Sequence, residues 1–491
     1  MKRSSGILMP VFSLPSPYGI GTLGKAAYEF IDFLAAAKQR YWQILPVGPT
    51  SYGDSPYQSF STFAGNPYFI DLDMLVKDGL LKKTEVTALD WGADAETVDY
   101  AKIYQNKFSV LRKAYARGFE KDKAAFEPFA AENAWLKDYA LYMALKKHFD
   151  MKCWTEWEDE GIRLHRAESV RAYEEKLKED VHFYAYLQYL FYTQWEKLRA
   201  YAKENGIGII GDVPIYVALD SADVWANPKY FMLDEKNVPI DVAGVPPDYF
   251  SEDGQLWGNP LYNWEYMKAE GYGWWIRRID GAGKLYDIIR IDHFRGFESY
   301  WAVPYGAETA KKGEWRKGPG LELVSTLTNW FPQISFIAED LGILTEEVHQ
   351  LLKDSGLPGM KVLEFAFNGT DASNYMPHRF EKNCVCYTGT HDNTTLADWL
   401  KTASKKEKQQ AKNYLGLNQS EGYAWGVIRA GMGSVADLFI AQMQDYLGLG
   451  ATARINTPGT TENNWLWRMQ KGAANKKLAQ KIAALTVMYE R

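Results

Sequence analysis

Three carboxylates, Asp292, Glu339 and Asp392, each stand at the end of an apolar run and are separated by 47 and 53 residues. The first run is Tyr286-Asp-Ile-Ile-Arg-Ile-Asp-His-Phe-Arg295, which crowds Arg290, Asp292, His293 and Arg295 into six positions. The second, Ile334-Ser-Phe-Ile-Ala-Glu-Asp-Leu-Gly342, ends in Glu339-Asp340 and a turn glycine. The third, Cys384-Val-Cys-Tyr-Thr-Gly-Thr-His-Asp-Asn393, ends in His391-Asp392-Asn393. Charges are rarely packed together at a strand end without partners. One such stretch reads equally well as a structural ion-pair network, but three in series are what a shared site needs. Several carboxylates among aromatic residues, with no metal-ligand spacing, fit chemistry at a glycosidic bond. There one carboxylate attacks the anomeric carbon while a second protonates the departing oxygen.

The elements that must position these groups are parallel strands. Ile288, Ile289 and Ile291 are β-branched and apolar, which suits a strand covered on both faces. The two intervals fit strand, loop, helix, loop and next strand, and crossover-connected parallel strands present all their C-terminal ends on one side. Further strands are expected at residues 6–14, Tyr41–Val47, Gly206–Val217 with Asp212 near its end, and Met360–Phe367. A weaker eighth is expected at Ala451–Thr461. The predicted fold is an α/β (β/α)8 barrel, a single catalytic unit over 1–491, with a helix at Lys25–Ala37. Two insertions enlarge it: a helical subdomain over 70–205 and a segment over 218–285. The aromatic cluster Tyr184, Tyr189, Phe191, Tyr192 and Trp195 in the first reads as packing. The second carries an active-site loop at 244–260, whose Pro, Gly and Asn content predicts irregular structure. Its Tyr249, Phe250 and Trp257 argue against disorder. About 30 residues follow Thr461, enough for a closing helix but not for an appended β domain.

Composition narrows the partners. A net charge of −6 disfavours nucleic acid and anionic membrane surfaces, and no run of about 18 apolar residues predicts a membrane span. Eighteen Trp, 32 Tyr and 23 Phe offer flat faces for stacking on sugar rings, although most such rings fill cores. The N-terminal segment is interrupted by Pro10 and Pro15 and does not read as a signal peptide. Cys153, Cys384 and Cys386 read as reduced thiols in a cytoplasmic protein. Gly19-Ile-Gly-Thr-Leu-Gly24 matches a dinucleotide fingerprint in spelling only, because Pro15-Ser-Pro17 breaks the strand before it and residues 39–45 contain no acid. His148, His165 and His182 lack metal-ligand spacing, so no metal and no cofactor are expected.

Taken together, SYGDSPYQS, GDVPIYV, GVPPDYFSEDGQLWGNPLYNW, RIDHFRG, IAEDLG and GTHDNTT occur in order along nearly the whole chain. In these segments it resembles the 4-α-glucanotransferases of the amylomaltase (disproportionating enzyme) family, within the wider α-amylase group. The resemblance implies transfer of α-1,4-glucan segments between maltooligosaccharides, amylose, glycogen or starch, with an amylase-like hydrolase as the alternative. It places the nucleophile on Asp292, the general acid/base on Glu339 and the transition-state-stabilising aspartate on Asp392. It further implies that Arg290 and His391 contact the sugar at the cleavage point. Tyr57, Asp212 and Trp257 would line donor and acceptor positions, and Asn464 is a looser match. Arg290 would keep Asp292 anionic, and neighbouring carboxylates would keep Glu339 protonated. The loop around Tyr249–Trp257 would close over the site and exclude water. A carbohydrate-binding scaffold would have no use for three polar strand ends.

Overall fold

The computed structural model describes residues 2–247, 251–342, 344–367 and 372–491. Eight parallel strands form its centre: β1 Ser4–Leu8, β2 Tyr41–Gln43, β3 Gly208–Pro214, β4 Ile288–Asp292, β5 Ser335–Ala338, β6 Gly359–Val362, β7 Cys384–Tyr387 and β8 Leu438–Gln442. Consecutive strands pair around the ring and β8 returns to β1. The remaining seam, between β5 and β6, is bridged by Ala338 N donating to Pro358 O at 3.0 Å and Met360 N donating to Asp340 Oδ1 at 2.6 Å. The result is the predicted (β/α)8 barrel. Its strands are largely buried on both faces because side chains fill the interior while helices cover the outside. At Gly6 a Cβ would lie 2.6 Å from the Tyr41 carbonyl oxygen, so glycine lets β1 and β2 approach.

Two expectations are corrected. Segment 451–461 supplies no strand: it makes a 3-10 turn at Ala451–Ala453 and then a loop, and the eighth strand is Leu438–Gln442. All five residues of Leu438-Phe-Ile-Ala-Gln442 are buried, an environment that the Thr, Arg and Asn side chains of 451–461 could not fill. Segment 244–260 is not irregular throughout. Asp241–Val245 pairs antiparallel with Gln255–Pro260, and Ser299–Pro304 and Glu314–Lys317 complete a four-stranded sheet beside the barrel. Its local composition misleads because strand formation there follows from cross-strand partners more than from propensity. Tyr249 and Phe250 lie outside the described residues.

Between β2 and β3 the chain is mainly helical, with long helices at Tyr100–Glu132, Trp135–His148 and Lys178–Glu204. Tyr184, Phe191, Tyr192 and Trp195 of the last helix are buried, as their apolar spacing predicts. The same helix clasps the chain that follows the Tyr57 loop. Gln188 accepts from Gly65 N at 2.7 Å and donates to Gly65 O at 2.9 Å, and Gln194 does the same to Asp71 at 2.7 and 3.2 Å. The C-terminal helix Lys476–Met488 closes the outer layer, where Gln39 Nε2 donates to Thr486 Oγ1 at 2.8 Å. No described helix is long and apolar enough to cross a membrane.

Candidate active site

The site begins with the register of two strands. Ile291 of β4 lies opposite Ala338 of β5, so the next residues, Asp292 and Glu339, leave adjacent strand ends side by side. Arg290 is two residues before Asp292 and therefore on the same face. Its Nη1 donates to Asp292 Oδ1 at 2.8 Å and to both oxygens of Asp212 at 2.7 and 2.6 Å. Asp212 stands opposite Arg290 in the β3–β4 register and accepts the Tyr57 hydroxyl at 2.6 Å. Tyr57 in turn stacks on His391, with centroids 5.0 Å apart and ring planes 16° apart. One continuous polar chain thus joins Tyr57, Asp212, Arg290 and Asp292, and buried groups of this kind are stable only when each has its partner.

Glu339 lies in a different environment. Its carboxylate is buried and accepts from His293 N and Leu341 N, both at 2.7 Å. His293 makes this possible by adopting left-handed backbone geometry, φ 51°, directly after the strand end at Asp292. Burial pushes Glu339 up to about 8, repulsion from Asp292 adds to the rise, and Arg290 and the two backbone N–H groups oppose it. The sequence attributes that rise to neighbouring carboxylates, whereas burial is the larger cause. Asp392 is the open member of the three, with its side chain 44% exposed. Asn456 Nδ2 donates to its Oδ1 at 2.6 Å, Arg454 Nη2 donates to its backbone oxygen at 2.6 Å, and His391 Nε2 lies 3.3 Å from Oδ1.

The carboxylates separate two cavities of about 810 and 550 Å³. Asp292, Asp392, His293 and Trp257 line both; Tyr57, His391 and Asn464 line only the larger, and Glu339 only the smaller. Trp257 meets the His293 ring edge-on at 4.8 Å. Asn464 Oδ1 accepts from Thr457 N at 2.9 Å and so shapes the 457–464 loop of the larger cavity. Asp212 and Arg290 are 2% and 3% exposed, and Arg290 lines the smaller cavity beside Asp292 and Glu339. Arg454 and Asn456 were not singled out by sequence, because the stretch containing them reads as a weak strand. A pairing of Arg and Asn in a Gly- and Pro-bearing loop after a strand is the signal that marks them. Among the described residues no group of three His, Cys, Asp or Glu side chains is arranged to hold a metal ion.

The environment of Glu339 sets a pH limit. A carboxyl that must donate a proton loses its acid form about ten-fold per pH unit above its pKa. Thus kcat/KM is expected to fall as pH rises through about 8. A pH–rate profile checks this, and a rate that stays flat to pH 10 would exclude Glu339 as the acid.

A closed (β/α)8 barrel with three carboxylates at its strand ends, in a cleft walled by aromatic side chains, defines the molecule as a carbohydrate-active barrel enzyme. A family model described as 4-alpha-glucanotransferase matches residues 9–474, and the chain belongs to that family. It is 51% identical over 486 residues to the 4-alpha-glucanotransferase of Clostridium butyricum, covering 98% of this chain and 100% of the relative. It is 45% identical over 504 residues to that of Thermus thermophilus, covering 100% and 99%. Amylomaltase from Streptococcus agalactiae, solved in complex with acarbose, matches with a TM-score of 0.97 at 42% identity over the whole of both chains. The enzyme is therefore a transferase, and the hydrolase alternative is set aside.

Proposed function

We propose that the protein moves α-1,4-glucan segments from one maltooligosaccharide or starch-type chain to the 4-hydroxyl of another sugar, by a retaining double displacement. Asp292 is the nucleophile, Glu339 the general acid and base, and Asp392 the stabiliser of the oxocarbenium-like transition state. The observation that supports this reading most is the contrast between adjacent carboxylates. Asp292 accepts a guanidinium hydrogen bond at a partly open position, whereas Glu339 is buried and its pKa is pushed up to about 8, which favours the acid form.

In the first displacement an Asp292 oxygen attacks the anomeric carbon, the C1–O4 bond breaks, and the Glu339 proton passes to the departing O4. In the second, the Glu339 carboxylate takes the proton of an incoming 4-hydroxyl. That oxygen then attacks C1 and Asp292 leaves, so configuration is retained. We assign Tyr57, Trp257, His391 and Asn464 to sugar contact, and Asp212 and Arg290 to holding Tyr57 and Asp292. The segments 70–205 and 218–285 are read as insertions into one catalytic barrel. The free thiols of Cys153, Cys384 and Cys386 support a cytoplasmic setting.

Maltotriose alone tests the reading. Glucose and longer maltooligosaccharides are expected to form together, with the number of reducing ends nearly constant, because one bond is made for each one broken. Reducing ends that rise steadily without any elongated product would reject transfer.

A further inference from the structure

The two cavities differ in which catalytic group they reach, and this gives the cleft a direction. Glu339 lines the 550 Å³ cavity and not the larger one, while Asp292 and Asp392 line both. A general acid hands its proton to the departing oxygen. The leaving sugar, and later the acceptor that replaces it, must therefore lie on the Glu339 side. A cavity of this volume accommodates more than one hexose ring.

On that side the wall contributed by the second sheet carries Trp315, on the edge strand Glu314–Lys317. Its residue surface is 43% exposed, high for so large an apolar side chain. The ring is nevertheless held in place. Trp301 meets it edge-on at 5.3 Å, and the Arg295 guanidinium lies 4.1 Å from its centre. Arg295 is itself buried, with Nη2 donating to Ser299 Oγ at 3.2 Å. An indole fixed by a cation and a second ring, yet open to a cavity, can stack on a sugar with little further loss of conformational entropy.

We propose that Trp315 sets acceptor length: its indole stacks on a glucose unit beyond the one whose 4-hydroxyl attacks, making maltooligosaccharides better acceptors than glucose. This assignment rests on the transfer reading. It locates specificity in the side sheet, away from the carboxylates and from the walls of the larger cavity.

The test separates donor from acceptor. α-Maltosyl fluoride carries no sugar as its leaving group, so it can load Asp292 without filling the acceptor side. Transfer from this donor to glucose or to maltotriose is measured for wild type, Trp315→Ala and Trp315→Phe. Wild type is expected to show a lower apparent KM for maltotriose than for glucose. Trp315→Ala is expected to raise the maltotriose value about ten-fold, as loss of one aromatic contact does, and to leave the glucose value unchanged. Trp315→Phe should restore most of the difference. The unchanged glucose arm also reports that the variant is folded. Equal losses with both acceptors, no loss with either, or no preference in wild type would overturn the role of Trp315 while leaving transfer intact. Wild-type product formed with water alone, and no elongated sugar, would overturn the transfer reading and this inference with it.

Discussion

Asp292→Asn is expected to lower kcat on maltotriose by about 10⁴-fold or more, with a melting temperature within about 5 °C of wild type. The amide keeps the shape of the side chain, and its oxygen can still accept from Arg290 Nη1, which donates to Asp292 Oδ1 at 2.8 Å. Asp212 retains both of its contacts to the same guanidinium, so no buried charge loses its partner and the fold has little reason to weaken. What disappears is the anionic oxygen that would form the bond to C1. Steady-state rates, thermal melts and intact mass after incubation with a fluoride donor check the three parts. A variant keeping a tenth of the wild-type rate, or one still carrying a glycosyl adduct, would remove the nucleophile role from Asp292.

Glu339→Gln is expected to slow maltotriose turnover by about 10³-fold, within the range of general acid catalysis. The loss should be much smaller for the step that expels fluoride, because that leaving group needs no proton. The amide can accept only one of the two backbone N–H bonds that Glu339 receives from His293 and Leu341, so some rearrangement of the turn accompanies the chemical change. Comparing the two donors separates these effects: misplacement slows both, whereas loss of the acid slows mainly the sugar leaving group. The fall in rate near pH 8 should also vanish from the residual activity. Equal losses with both donors, or an unchanged alkaline limb, would assign the proton to another group.

The parts of this arrangement that the sequence makes legible are those where an apolar run stops at a charge. β3, β4, β5 and β7 end near Asp212, Asp292, Glu339 and His391-Asp392, so period and polarity change together and locate both strand and site. β8 carries no such marker, since Leu438-Phe-Ile-Ala-Gln442 ends in an amide and follows closely on the helix Tyr423–Gly433. The strand at Gln255–Pro260 is set by its partner Asp241–Val245 across a loop rich in turn residues, which local propensity does not register. The contact of Tyr57 with Asp212 spans 155 residues and that of Tyr57 with His391 spans 334. Spacing in the chain holds no trace of either; the polar, Gly- and Pro-bearing stretch 51–58 reads as a ligand-holding loop, and the family resemblance singles out Tyr57 within it. Arg454 and Asn456 escape for a related reason: their importance lies in gripping Asp392, more than 60 positions away.

The left-handed turn at His293 has a consequence for anyone redesigning this enzyme. Through it, His293 N reaches Glu339 Oε2 and Phe294 N reaches the Glu339 backbone oxygen at 3.0 Å, while Glu339 N donates back to Ile291 O at 3.0 Å. The spacing of the two strand ends is thus held by main-chain hydrogen bonds, while the Asp292 carboxylate is oriented by the Arg290 side chain. Lengthening or grafting loops around the barrel mouth should alter which chains are taken without touching the stereochemical outcome. A single inserted residue between Asp292 and Phe294 would shift both groups at once. For transplantation into another barrel, residues 290–294 and 337–341 form one indivisible cassette.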